Sequence, residues 1–123
     1  MSYESKLYVV EKHRSFGDID GNKIYSQVIA MLDLCKYYPI SSVRKNYPAT
    51  DCYFYADDDT KVLEDKYGEP LREIPIEDVI EILEKDLEKG SDYRRIYPTL
   101  AALKALSEHK HQWKELTVLH YGY

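Results

Sequence analysis

Two arginines lie among tyrosines at Tyr93, Arg94, Arg95 and Tyr97, immediately ahead of Pro98. Guanidinium forks, stacking rings and the free N–H groups of a starting helix are what a phosphate or a nucleotide would use, which makes this stretch the anion-site candidate. The competing reading pairs both arginines with a Glu-rich helix nearby. Carboxylates form the second group, with Asp57, Asp58 and Asp59 in a row and Glu64 close behind. A calcium loop needs Gly at its sixth position and Glu at its twelfth, and a loop begun at Asp57 puts Gly68 where the Glu belongs. Asp18-Ile19-Asp20-Gly21-Asn22 fails in the same way, with Lys23 and Ile29 at those two positions. Both stretches read as turns, and the three aspartates are left as an acidic surface.

His109 and His111 are the closest histidine pair, with His13 and His120 as conceivable third ligands. On a helix the two would diverge by about 200°, so they could share a metal only where the helix has ended. Cys52 and His120 could form a nucleophile–base pair if the fold joined them. No Walker loop, dinucleotide fingerprint, nucleophile elbow, H-E-x-x-H or paired C-x-x-C occurs, and the five glycines are scattered singly. No metal or other cofactor is expected, and binding is expected rather than catalysis.

The elements that must position these groups read as follows. Residues 5–12, built on Leu7, Tyr8, Val9 and Val10, form a strand. Ile24, Val28, Met31, Leu32 and Cys35 recur at helical spacing behind Asn22, which predicts a first helix ending by Pro39. Residues 38–50 form a loop. Residues 51–56, 61–67 and 71–74 predict a three-stranded antiparallel meander with Gly68 in a turn. Pro75 opens a second helix with Glu77 and Asp78 in its first turn and an apolar stripe of Ile76, Val79, Ile80, Leu83 and Leu87, closed at Lys89-Gly90. Pro98 and Thr99 begin a third helix with Leu100, Leu103, Leu106 and Trp113 inward. Residues 115–123 form a last strand, apolar on both faces, which should pair with the first. The order is β-α-β-β-β-α-α-β: one α+β domain over residues 1–123, with an antiparallel or mixed sheet of about five strands and three helices.

With 44% hydrophobic and 32% charged residues, the 123-residue chain can bury a core and is not expected to be disordered. No apolar run approaches the length of a membrane span, and two cysteines are too few for a disulfide framework, so a cytoplasmic protein with reduced thiols at Cys35 and Cys52 is expected. The net charge of −5 is uneven, since residues 57–92 hold 14 acids against 5 bases. An acidic chain is ill suited to direct nucleic-acid binding, and a partner with a basic surface is the better match. Thirteen tyrosines against 2 Phe and 1 Trp favour contact surfaces that need a stiff ring with a polar tip.

The opening Tyr3-Glu-Ser-Lys-Leu-Tyr-Val-Val-Glu-Lys12, the central Thr50-Asp-Cys-Tyr-Phe-Tyr-Ala-Asp57 and the closing Leu119-His-Tyr-Gly-Tyr123 resemble small phage and prophage proteins of Gram-positive bacteria that carry no assigned activity. The resemblance implies a counter-defence factor in the bacterial host cytoplasm, such as an anti-CRISPR inhibitor that occupies the basic channel of a nuclease. Asp57, Asp58, Asp59 and Glu64 would be its contact residues. The alternative is a binder that sequesters a nucleotide signal at Tyr93, Arg94, Arg95 and Tyr97.

Overall fold

The computed structural model of the chain describes residues 5–17, 23–33, 47–88 and 96–122. Its spine is β1 (Ser5–Gly17), which pairs antiparallel with β2 (Ile24–Asp33) on one side and with β6 (Leu116–Gly122) on the other. β3 (Cys52–Tyr55) adds to β2 in parallel at Ile24 and Tyr25, and β4 (Lys61–Val62) folds back on β3. β5 (Arg72–Ile74) lies outside β6, giving the order β4-β3-β2-β1-β6-β5. Helices α1 (Ile76–Glu88) and α2 (Ile96–Glu108) are followed by a 3-10 turn at Lys110–Gln112. This is an α+β fold with a mixed six-stranded sheet.

Alternation along β1 sends Leu7 and Val9 to one face and Tyr8 and Val10 to the other, and all of these but Tyr8 are fully buried. Leu7 and Val9 join Ile74 and Val118 against Ile76, Val79 and Leu83 of α1 and Ile96, Leu100 and Leu103 of α2. On the opposite face Val10, Leu119, Cys52, Phe54 and Leu71 form a second core. Among the described residues no helix packs on that face. It is buried because the sheet curls until its edges meet: Ala49 bridges Arg72, and the Thr50 N–H donates to the Leu71 carbonyl at 2.9 Å.

One polar junction completes the closure. Glu73 of β5 takes Lys12 of β1 at 2.7 Å, the Thr50 hydroxyl at 3.0 Å and the Thr117 hydroxyl of β6 at 3.2 Å, with the Cys52 thiol at 3.7 Å. Burial opposes charge on Glu73, but the hydrogen bond and attraction from Lys12, with both threonine hydroxyls, outweigh it and hold the carboxyl below its ordinary range.

Two expectations are overturned. The predicted first helix is strand β2. The pairing with β1 steps from Val9↔Ala30 to Val10↔Val28, so Ile29 is an extra residue that reverses the alternation, and apolar positions on the two faces then mimic helical spacing. Tyr25, Val28 and Ile29 are also better suited to a strand than to a helix. The meander is interrupted as well. β4 keeps to β3, but β5 joins β6, and only the bridge Glu64↔Pro70 survives of the expected pairing. Among the described residues there are thus six strands and two helices where about five and three were expected. Asn22, Cys35, residues 38–46 and Lys89-Gly90 lie outside the described residues. The last strand behaves as expected, seated between β1 and β5 with Val118 and Leu119 fully buried. No helix among the described residues is long and apolar enough to cross a membrane.

Candidate acidic and aromatic site

The β3–β4 hairpin places the three aspartates. Phe54 faces Val62 and Tyr55 faces Lys61, and the Ala56 N–H closes the loop on the Thr60 carbonyl at 2.9 Å. Asp58 accepts the Thr60 N–H at 3.1 Å, and hydrogen bonds from the Thr60 side chain and backbone keep its carboxyl below the usual range. Asp59 adopts φ +63°, a left-handed conformation that Asp tolerates better than most residues. Turn geometry therefore fixes Asp58 and Asp59 at the exposed tip and leaves Asp57 beside the concave face of the sheet.

Here β2 and β3, paired only at Ile24↔Cys52 and Tyr25↔Tyr53, diverge. A cavity of about 280 Å³ opens between Val28 and Met31 of one and Phe54, Tyr55 and Asp57 of the other, with Tyr8, Val62 and Tyr121 completing its wall. The Tyr8 ring lies 4.4 Å from Phe54, tilted by 32°, and 6.0 Å from Tyr121 in an edge-on arrangement. Burial raises the Tyr8 phenol pKa first, and Tyr121, Asp33 and Asp57 raise it further. Loss of water, with the nearby acids second, thus disfavours a phenolate at this position.

The rest of the acidic segment is different in character. On α1, Glu77 meets Lys110 at 2.8 Å, Glu81 meets Lys85 at 2.8 Å and Glu84 meets Lys104 at 3.4 Å, so much of the helix charge is matched within the molecule. None of Asp57, Asp58, Asp59 and Glu64 has a Lys or Arg partner among the described residues. Glu64 stands exposed just after β4, beside a turn organised by Asp65, which accepts the N–H groups of Tyr67 and Glu69 at 2.8 and 3.0 Å.

Tyr8, Tyr55 and Tyr121 line the cavity, and Tyr55 also joins Tyr25 and Tyr53 in a cluster with ring separations of 5.7 to 6.0 Å. His13 stacks on Tyr25 at 5.7 Å, and the Lys61 ammonium sits 4.3 Å above the Tyr53 ring. A cation on an aromatic face is therefore already part of this hairpin.

The other sequence candidates fare unevenly. Tyr97 is exposed in the first turn of α2, whereas Tyr93, Arg94 and Arg95, like the Asp18–Asn22 stretch, lie outside the described residues. Cys52 and His120 do not meet as a reactive pair. Strand alternation sends Cys52 to the concave core, and His120 is buried on the helix side with its Nε2 2.9 Å from the Ser5 hydroxyl. α2 ends at Glu108, and the rings of His109 and His111 are 6.3 Å apart, but no three His, Cys, Asp or Glu among the described residues converge on a metal position. Sequence reasoning singled out Asp57 but missed its aromatic neighbours. The sequence signal for Tyr8 is its place between the apolar strand residues Leu7 and Val9, and Phe54 and Tyr121 carry none comparable. No protein-family model, curated protein or solved structure matches the chain at a significant level.

Proposed function

We propose that the protein works by binding a macromolecular partner with a basic surface, through the β3–β4 hairpin and the aromatic cavity beside it. The observation that carries this reading is the contrast in charge pairing. Three of the six acids of α1, Glu77, Glu81 and Glu84, are matched by lysines of the same chain, whereas none of Asp57, Asp58, Asp59 and Glu64 has a Lys or Arg partner among the described residues. Unmatched charge steers a basic partner during approach, and aromatic side chains supply the desolvated anchors once contact is made. In the phage setting that the sequence resemblance implies, the partner is a host defence protein, and the acidic hairpin stands in for nucleic-acid phosphates in its channel.

The test is a comparison of the parent with the variant Asp58→Lys, Asp59→Lys, Glu64→Lys. All three side chains are solvent-facing, so the fold should persist, with a modest fall in melting temperature from the lost Asp58–Thr60 turn bond and from Lys at the left-handed φ of Asp59. Expressed in bacteria that carry a nucleic-acid-cutting defence system, the parent should restore phage plating and the variant should not. Equal plating with both, or no restoration by the parent in hosts covering several such systems, would remove the proposal.

A further inference from the structure

Resting on that binding reading, we infer that the cavity beside Asp57 receives the guanidinium group of one arginine side chain from the partner. Its volume of about 280 Å³ is ample for one inserted side chain and lies at the lower limit of the roughly 300–1,000 Å³ of sites for drug-sized ligands. Its walls are chemically selective. Tyr8, Phe54 and Tyr121 present ring surface at mutual distances of 4.4 and 6.0 Å, and Asp57 stands at the rim as a carboxylate without a cation partner among the described residues. An anion would be repelled by the Asp57 carboxylate at the rim. An apolar side chain would fill the space but leave the carboxylate without a counter-charge. A cation answers both features, since ring faces attract positive charge and the carboxylate pairs with it.

Guanidinium fits better than ammonium. Its plane can lie along a tilted ring while its edge offers two N–H groups to one carboxylate, and it gives up its water more readily. Val28 and Met31, the latter 46% exposed, border the opening where the methylenes of the stem would rest.

The probes are N-acetyl-arginine amide, N-acetyl-lysine amide and N-acetyl-citrulline amide, the last matching arginine in shape without its charge. Each is titrated into the full chain while amide resonances are followed by NMR. Arginine should shift the amides of Tyr8, Met31, Phe54 and Tyr121 saturably, with lysine weaker and citrulline weaker by about 10-fold. Asp57→Asn should weaken arginine by a similar factor, Tyr121→Leu should weaken it and Tyr121→Phe should largely retain it. Citrulline binding as well as arginine, lysine binding more tightly, or indifference to Asp57→Asn would each overturn the assignment. The triple-lysine variant separates this inference from the broader reading, because it retains Asp57 and the aromatic walls. Arginine binding that persists there while phage plating is lost supports both. Plating restored by the parent without any arginine shift sinks only the cavity assignment, and arginine binding without any plating effect sinks only the partner reading.

Discussion

Replacing Glu73 with Ala should open the curled sheet at its seam. The carboxylate connects β5 to β1 through Lys12, to β6 through Thr117 and to the approach of β3 through Thr50. Its loss leaves the Lys12 ammonium, 12% exposed, without its counter-charge. Breaking a fully buried ion pair costs about 3 to 5 kcal/mol. Glu73 is 29% exposed, so water screens part of the interaction, and about 2 to 4 kcal/mol is expected. For a chain of this size that corresponds to a fall in melting temperature of roughly 8 to 16 °C. Urea unfolding followed by the fluorescence of the single tryptophan, Trp113, should show a lower midpoint at an unchanged slope. Glu73→Gln should cost less, since an acceptor of the same shape remains. Lys12→Met with Glu73→Leu should recover part of the loss, because neither charge is then stranded. The pH dependence has a fixed sign. Glu73 has a depressed pKa in the folded state, so its contribution is complete above the unfolded value near 4.3 and fades as pH falls through the folded value. The gap between parent and Glu73→Gln should therefore be constant from about pH 6 to 8 and close on acidification below about pH 4. If Glu73→Ala stays within about 0.5 kcal/mol of the parent at pH 7, the seam does not hold the sheet closed and this reasoning fails.

Removing residues 117–123 takes Val118 and Leu119 from two different cores, at about 1.5 to 3 kcal/mol each, and deprives both β1 and β5 of a partner. The shortened chain should lack a dispersed amide spectrum, and a dispersed one with unchanged melting would refute the architecture. Ser26 is 1% exposed with no hydrogen-bond partner for its hydroxyl among the described residues, so Ser26→Ala should leave stability unchanged or raise it by up to about 1 kcal/mol in a urea titration. A clear loss would show that the hydroxyl is satisfied. Gly68→Ala should cost about 1 to 2 kcal/mol through its φ of +77° alone, the nearest atom to an added Cβ being 3.9 Å away. Gly68→Asn should be milder, and equal costs for the two would point to crowding instead.

The helix α1 was legible because every local signal agreed: Pro75 ahead of it, acids in its first turn and one apolar stripe that is now buried or half-buried. The pairing of β6 with β1 was legible from apolar residues on both faces of the terminal strand. β2 was not, because a single bulge residue is invisible to periodicity and converts a period of two into apparent helical spacing. The partner of β5 was not legible either. A hairpin turn at Gly68 specifies local reversal, whereas burial of Ile74 against the helices and the Glu73 junction draw the strand to the far edge. For the site, the acidic tip was readable as turn chemistry, but its meeting with Tyr8 and Tyr121 depends on sheet curvature, which no local pattern encodes.

The central position of β1 imposes a schedule on folding. Its pairing with β2 is local, but its other edge waits for β6, and Ser5 and His120, bonded in the finished structure, are 115 positions apart. At synthesis rates of about 5 to 20 residues per second, a nascent β1 spends roughly 6 to 23 seconds with one edge unclaimed. Its apolar face, bearing Leu7 and Val9, meanwhile has neither helix to cover it. Such separated contacts also slow the search for the native pairing once the chain is free. The interval before β6 arrives is therefore when this chain is most open to edge-to-edge association with its own copies, and low expression temperature or a chaperone that shields strand edges should raise its folded yield more than mutations of the finished surface.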